Sequence, residues 1–450
     1  MDAMIRPART TATTTLAAAL LGFFVVTLDA VVVNVALPSV GRDLGGGLAG
    51  LQWVVDGYTL SFAALLLCAG SLTDRIGAKH AFVLGVGVFT LASLACGLAS
   101  SLLWLIAGRV LQGAAAAVIM PSSMTLVRHA YPDAKARAHA VAIWALGGSV
   151  AATFGPIAGG YLTALDWRWI FLINLPVGVL ALAIVSRSPS ERGHATRFHW
   201  LGQLSAIVAM ASVTYGAIEA GQAGLGAVQV VLAFAVAAAS TLIFVRSQRR
   251  PEAMVPKELW LSRNALIAFA VGFTFMVGYF GLPFVMSLYL QQVRGLSPVA
   301  TGAAFVPMML VGLLLTPFSA RLSHQFGPKR VIVTGLVAMA AGLVLVAWLV
   351  PVAPIAGFAT AMTLVGLAGP LVSPPVTAVL LDTIAPRLAG VASGLFNTSR
   401  QLGGALSVAV FGALLAQADS FETGMRISLV LAAVIAIGAA ATSLSLHPRA

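Results

Sequence analysis

Charge is scarce in this chain. Only 9% of its 450 residues are Asp, Glu, Lys or Arg, against about 25% in a soluble domain, so no water-facing globular surface can be assembled from it. Acids are scarcer still, 14 against 26 Lys and Arg, giving a formal net charge of +12. That balance does not point to nucleic acid, because a DNA or RNA binder gathers its bases on one face. Here they are scattered through short segments between apolar runs, as expected of topology charge. There are only two cysteines, Cys68 and Cys96, both inside apolar runs, which excludes a disulfide framework and a thiolate metal site. The seven histidines form no HExxH-type pair, and no GxxxxGK[ST] phosphate loop occurs, so no metal, no cofactor and no ATP-driven cycle are expected. The absence of a Ser-His-Asp constellation argues against a membrane enzyme, and the lack of a large polar segment argues against a receptor.

Apolar residues are abundant: 59% of the chain is hydrophobic, with a mean hydropathy of +0.97 and 45 glycines. Fourteen apolar runs, from 16–38 through 170–186 to 425–445, are long enough to cross the hydrocarbon core, which takes about 20 helical residues. The basic start MDAMIRPARTTATTT precedes a run too long for a signal peptide, so that run is expected to stay as the first helix. With the N-terminus placed in the cytoplasm, twenty Lys and Arg fall in cytoplasmic segments. Only Arg42, Arg168, Arg294 and Arg426 fall outside. This positive-inside bias supports an even span count, both termini in the cytoplasm and a multi-pass protein of the inner (cytoplasmic) membrane. Arg109 and Arg400 remain, inside the membrane.

The longest cytoplasmic loops, near 187–199 and 246–264, divide the chain into a six-helix bundle (1–188), two linker helices (189–262) and a second six-helix bundle (263–450). Leu72-Thr-Asp-Arg-Ile-Gly-Ala-Lys79 aligns with Leu322-Ser-His-Gln-Phe-Gly-Pro-Lys329 at a constant offset, in the matching loop of each half. A parallel repeat of transporter halves predicts that placement.

Asp29 is the acid in the first run, LAAALLGFFVVTLDAVVVNVALP. A carboxylate there costs about 2.5 to 3.5 kcal/mol to insert, which marks it as a functional candidate. Arg109 and Gln112 share a face of the fourth run. Counted from the outer helix ends, Arg109 lies about 10 Å deep and Asp29 about 13 Å deep, so the two are placed to meet. A nearby guanidinium favours the ionised carboxylate and burial favours the neutral form. The balance makes the pair a candidate proton coupler. Asp56, about 8 Å deep, is expected to be wetter and to attract cations at the external mouth. Asn34 lies about 140° around the helix from Asp29 and is assigned to no common site.

At the end of the second run stand Gly70, Asp74, Arg75, Gly77 and Lys79. Gly70 is expected to permit close helix approach, Gly77 a tight turn, and Asp74 either a pairing with a loop base or a place facing the N-terminal dipole of a neighbouring helix. This spacing resembles the loop signature of the major facilitator superfamily, with Ala78 where an arginine is usual. Gly147, Ala151, Gly155 and Gly159 recur every four residues, with Pro156 and Gly160 beside them, and form a small-residue groove. Gly155-Pro156-Ile-Ala-Gly159-Gly160 is similar to the motif of that superfamily's antiporters, which implies export against a cation rather than symport.

Leu28-Asp29-Ala-Val-Val-Val-Asn34-Val-Ala-Leu-Pro38 resembles the first-helix signature of the fourteen-helix drug:proton antiporters. Gln52-Trp53-Val-Val-Asp56-Gly-Tyr58, Trp167-Arg168-Trp169-Ile-Phe171-Leu-Ile-Asn174-Leu-Pro176 and Tyr289-Leu-Gln291 through Pro298 extend the likeness across both halves. Gly108-Arg109-Val-Leu-Gln112-Gly113 matches the family's Arg-x-x-Gln-Gly. The resemblance implies an all-α major facilitator fold that works as a monomer on protons and a small molecule within the lipid bilayer. The implied function is proton-coupled export of lipophilic, often cationic drugs or natural products. The alternatives are a proton-coupled uptake symporter and a dedicated exporter of one endogenous metabolite. Proton coupling is expected at Asp29, Arg109 and Asp56. The candidate cavity residues are Gln112, Tyr58, Tyr289, Gln291, Asn397 and Arg400, the last two on a polar stripe with Ser393 and Gly404.

Overall fold

Chains of this composition fold as helices in lipid because each backbone N–H and C=O must find its partner within the segment. The computed structural model describes residues 9–189, 193, 199–249, 253–349 and 354–446. Arg6, Arg192, Arg197, Arg250, Arg449 and both chain termini, on which the orientation reading draws, lie outside the described residues.

The first six spans are α1 (Arg9–Leu44), α2 (Gly47–Ile76), α3 (Ala78–Gly97), α4 (Leu102–Ala130), α5 (Ala134–Leu165) and α6 (Trp169–Val185). Then come α7 (Trp200–Ala223) and α8 (Val228–Ser247). After a short helix, Lys257–Leu261, the last six are α9 (Arg263–Val293), α10 (Pro298–Phe326), α11 (Pro328–Leu349), α12 (Ile355–Thr383), α13 (Ala389–Gln417) and α14 (Phe421–Ser443). Thirteen of these are long and apolar enough to cross a membrane by themselves. The exception is α6, 17 residues with a slight break at Ile173, whose backbone stays helical (φ −60°, ψ −25°). At about 1.5 Å per residue it falls at the short limit of a span. All the described regular structure is helical.

Several helix starts at the ends of the spans are capped. Asp133 Oδ1 accepts from Ala136 N at 2.9 Å, and Ser297, just before Pro298, accepts from Ala300 N at 3.2 Å. Such caps supply partners to the orphan N–H groups of a first turn. Gly77 and Gly327, the equivalent glycines of the repeated loop, both turn with positive φ, +87° and +82°. A side chain is strained there, which is why glycine survives in both copies. By contrast α1 runs on through Pro38 to Leu44, further than its apolar run suggests. Its polar end is clamped by the α5–α6 corner: Asp43 Oδ2 accepts from Trp167 Nε1 (2.9 Å) and Arg168 Nη1 (2.8 Å).

Helices α1 to α6 pack on one another, as do α9 to α14, and the two groups meet along α2–α13, α5–α10 and α1–α9. Helix α7 lies against α2 and α13, and α8 packs on α7.

Candidate functional site

Arg109 points from α4 into the first group of helices and is 1% exposed. Its Nη1 forms an ion pair with Asp29 Oδ2 and also donates to Gln112 Oε1 at 3.0 Å, while Nε donates to the Val54 carbonyl at 3.0 Å. The Asp29 carboxylate, wholly buried, accepts at Oδ1 from Gln112 Nε2 (3.1 Å) and from Asn174 Nδ2 (2.8 Å). Three side chains, Arg109, Gln112 and Asn174, thus aim donors at the two oxygens of one carboxyl group. Ser93 Oγ accepts from Gln112 Nε2 and Asn174 Nδ2 and donates to the Phe171 carbonyl. Cys96 Sγ donates to Gln112 Oε1 at 3.3 Å. Helices α1, α2, α3, α4 and α6 thus meet at one buried cluster. The expected Asp29–Arg109–Gln112 group is brought together, whereas Ser93, Cys96 and Asn174 are not singled out by the sequence reading. Neutral polar residues are cheap in apolar runs and leave little signal; the available cue was Asn174 in the Trp167–Pro176 motif.

Asp56 corrects the expectation of a wet external acid. It is 0% exposed, and both of its carboxylate oxygens are buried without a hydrogen-bond partner among the described residues. Depth from a helix end misled because a neighbouring helix covers the site. Gln52 Nε2 donates to the Val408 and Ala409 carbonyls (2.9 and 2.8 Å), and Thr398 Oγ1 donates to the Ala63 carbonyl (3.5 Å). The same antiparallel register brings Asp56 level with Gly404 and Ala405 of α13; Gly404 faces Phe280 of α9, and Ala405, on the same face as the Gly412 that meets Gln52, faces α2. An ion left bare there costs several kcal/mol.

The cavity candidates divide. Tyr58 is 1% exposed, its ring 4.4 Å from the Arg109 guanidinium and its hydroxyl donating to the Val26 carbonyl at 3.0 Å; it belongs to the charge cluster. Tyr289 is 0% exposed and packs on the rings of Phe358 and Phe421, so it is part of the core and not of an open wall. Gln291 Nε2 donates to the Val35 carbonyl at 2.8 Å and joins α9 to α1. Asn397 is partly buried and donates to the Ser393 carbonyl, one turn back along its own helix. Arg400 lies 5.7 and 5.8 Å from the ring centres of Phe275 and Phe396, without an acid in ion-pair range among the described residues.

Comparison with known proteins decides the family. Residues 19–408 match the Major Facilitator Superfamily. The chain belongs to that superfamily. It is 36% identical over 91% of its length, and 87% of the relative's, to a methylenomycin A resistance protein of Streptomyces coelicolor. It is also 35% identical to the multidrug resistance protein Stp of Mycobacterium tuberculosis (89% of this chain, 75% of the relative) and 34% identical to the drug efflux pump JefA of the same species (88% and 79%). The fold superposes on a peptide transporter POT in complex with sulfate, TM-score 0.73 at 16% identity (100% of this chain, 96% of that one). It also superposes on the inward-open xylose transporter XylE from E. coli, TM-score 0.68 at 14% identity (98% and 97%).

The superfamily loop departs from expectation at Gly70 and Asp74. A Cβ at Gly70 would meet nothing within 4 Å, so Gly70 serves no close helix approach. Asp74 is exposed and makes no ion pair with a described residue, and Arg75 is exposed beside it. Lys79 Nζ instead donates to the Ser186 and Ser188 carbonyls at the end of α6. On α5, added Cβ atoms at Gly147, Gly155 and Gly159 would meet α1 at Leu20 (2.7 Å), Val31 (3.1 Å) and the Val32 carbonyl (2.9 Å). Gly160 faces α10 instead, 2.7 Å from the Pro298 carbonyl, and the Pro156 carbonyl lies 2.2 Å from a Cβ built on Gly302. The groove therefore seats the helix that carries Asp29, and its flank closes the two halves.

Proposed function

We propose that this superfamily member is a proton-driven antiporter of the cytoplasmic membrane, with both termini in the cytoplasm, that exports lipophilic, often cationic compounds as a monomer. The observation that carries the reading is a wholly buried carboxylate, Asp29, held by Arg109, Gln112 and Asn174 within the apolar bundle. Buried ionisable residues in membrane spans mark proton and ion pathways. In this reading Asp56 is the second carboxyl on the path. The six-two-six division at 188 and 262 follows from the same reading. The names of the relatives, drug efflux and multidrug resistance, support export as the direction.

Two relatives carry the name of a single antibiotic, methylenomycin A, and that favours, as a second reading, a dedicated exporter of one natural product. A growth-inhibition screen in a pump-deficient host expressing the chain separates the two: protection against many unrelated compounds supports the first reading, and protection against one supports the second. Uphill transport of a protecting compound into inverted vesicles should stop when a protonophore is added. Transport that survives the protonophore would remove proton coupling.

A further inference from the structure

The paired helices α7 and α8 have no role in the mechanism above, yet they build a cavity of about 370 Å³ with the α2–α13 seam. That size falls within the range of small-molecule sites. Its walls are apolar, with Ala64, Met210, Phe244, Trp260, Phe269 and Leu402 drawn from six different segments. Trp260 and Leu266 at its margin are 43% and 41% exposed, so the cavity opens sideways where lipid surrounds the bundle. It lies at the end of the seam that carries the basic loops, beside the short helix Lys257–Leu261.

The polar groups on the wall specify the occupant. Among the described residues no charged side chain lines the cavity, so a cation would find no counter-charge from them and a neutral molecule fits better. The hydroxyls of Thr241, Thr398 and Ser399 already donate to backbone carbonyls. Gln203 differs. It is 3% exposed, its Nε2 donates to the Ala64 carbonyl, and its Oε1 has no partner among the described residues. That oxygen is shut off from the cavity in this conformation, and a turn of the Gln203 side chain would offer it to a ligand that brings a donor. A hydrocarbon tail of a lipid offers none.

We propose that this cavity is a loading site for neutral, lipophilic molecules bearing an N–H or O–H donor, which enter from the bilayer before passing between α2 and α13. The site rests on the export reading for its role and gives the linker helices a function: they wall off a binding place at the seam that twelve helices alone would leave facing lipid. The route inward is narrow, since Thr398 reaches the Ala63 carbonyl and a Cβ on Gly394 would lie 2.9 Å from Leu67. Loading therefore requires the seam to part.

The test is photolabelling of the full chain in lipid nanodiscs with a neutral aryl-diazirine anilide, which carries one N–H, and with its N-methyl counterpart. Label should map by mass spectrometry to 203–210 and 395–402, with the N–H probe preferred. Filling the cavity by Ala206→Trp should lower labelling about tenfold, a loss of about 1.4 kcal/mol of binding. Gln203→Met should erase the preference between the probes, and Ala206→Trp keeps the test decisive if Gln203→Met does not fold. Compounds that the parent exports should compete with the probe. Labelling elsewhere, labelling unchanged in Ala206→Trp, or displacement by added phospholipid but not by exported compounds would overturn the site. If the parent exports compounds that neither compete nor lose transport in Ala206→Trp, the loading role fails while the export reading stands. If the cavity labels as described but no compound is exported, the export reading fails and the loading role falls with it.

Discussion

Arg109 spreads one guanidinium over three acceptors, Asp29 Oδ2, Gln112 Oε1 and the Val54 carbonyl. Lysine offers a point charge without that planar fork, so Arg109→Lys should keep part of the transport and part of the stability. Arg109→Ala leaves the buried carboxylate with Gln112 and Asn174 but without its counter-charge, and breaking a buried pair from one side costs about 3 to 5 kcal/mol. Its thermal midpoint in detergent should fall well below that of the parent, and adding Asp29→Asn should restore part of the loss. A double variant no more stable than Arg109→Ala alone would show that the pair is not the source of the effect. This part of the site was legible because charge in an apolar run is rare and each instance demands a partner. Asn174 and Ser93 were not, since uncharged polar side chains occur in spans without penalty enough to mark them. Asp56 was misjudged for a different reason: distance along a helix says nothing of what lies beside it, and the α13 surface at Ala405 became visible only with the fold.

At the scale of the element, α5 shows how a repeated glycine pattern can be read correctly as a groove and still leave its partner open. Four-residue spacing puts Gly147, Ala151, Gly155 and Gly159 on one face; which helix fills that face is a tertiary fact, and it is α1. Substitutions should grade by what the new methyl meets. At Gly70 it meets nothing, and alanine removes the entropic cost of a helical glycine, so Gly70→Ala should be neutral or stabilising by about 0.5 to 1 kcal/mol. At Gly155 it presses 3.1 Å from the Val31 side chain, which can yield; at Gly159 it lies 2.9 Å from the Val32 backbone, which cannot. Gly155→Ala should therefore fold and leak protons modestly in vesicles, and Gly159→Ala should lose more stability. Normal leak and normal export in both would leave the groove as a packing seam only. The repeat at Gly77 and Gly327 was legible because positive φ selects glycine. The length of α1 was not, because polar residues after Pro38 ended the apolar run while the helix continued to meet Trp167 and Arg168.

Across the whole molecule the halves are fastened at the end opposite the basic loops: Gln52 to the Val408 and Ala409 carbonyls, Gln291 to the Val35 carbonyl, and Gly160 and Gly302 in backbone contact across α5–α10. Gln52→Leu removes two of these hydrogen bonds, and a cysteine introduced as Ala405→Cys should then react faster with a membrane-impermeant maleimide added from that side. An unchanged rate would mean that Gln52 does not hold the seam. Class and span number were legible from composition and run length, whereas the state of closure depends on side-chain bonds between distant segments. Energy for the cycle comes from the membrane: one charge crossing 100 mV supplies about 2.3 kcal/mol, and the account places its coupling at Asp29. The direct measurement compares two modes of transport in vesicles carrying Asp29→Asn, gradient-driven accumulation and gradient-free exchange of labelled for unlabelled compound. Accumulation should be lost while exchange continues, because the neutral amide still fills the site among Gln112 and Asn174 but cannot take up and release a proton. Full gradient-driven accumulation by Asp29→Asn would contradict it.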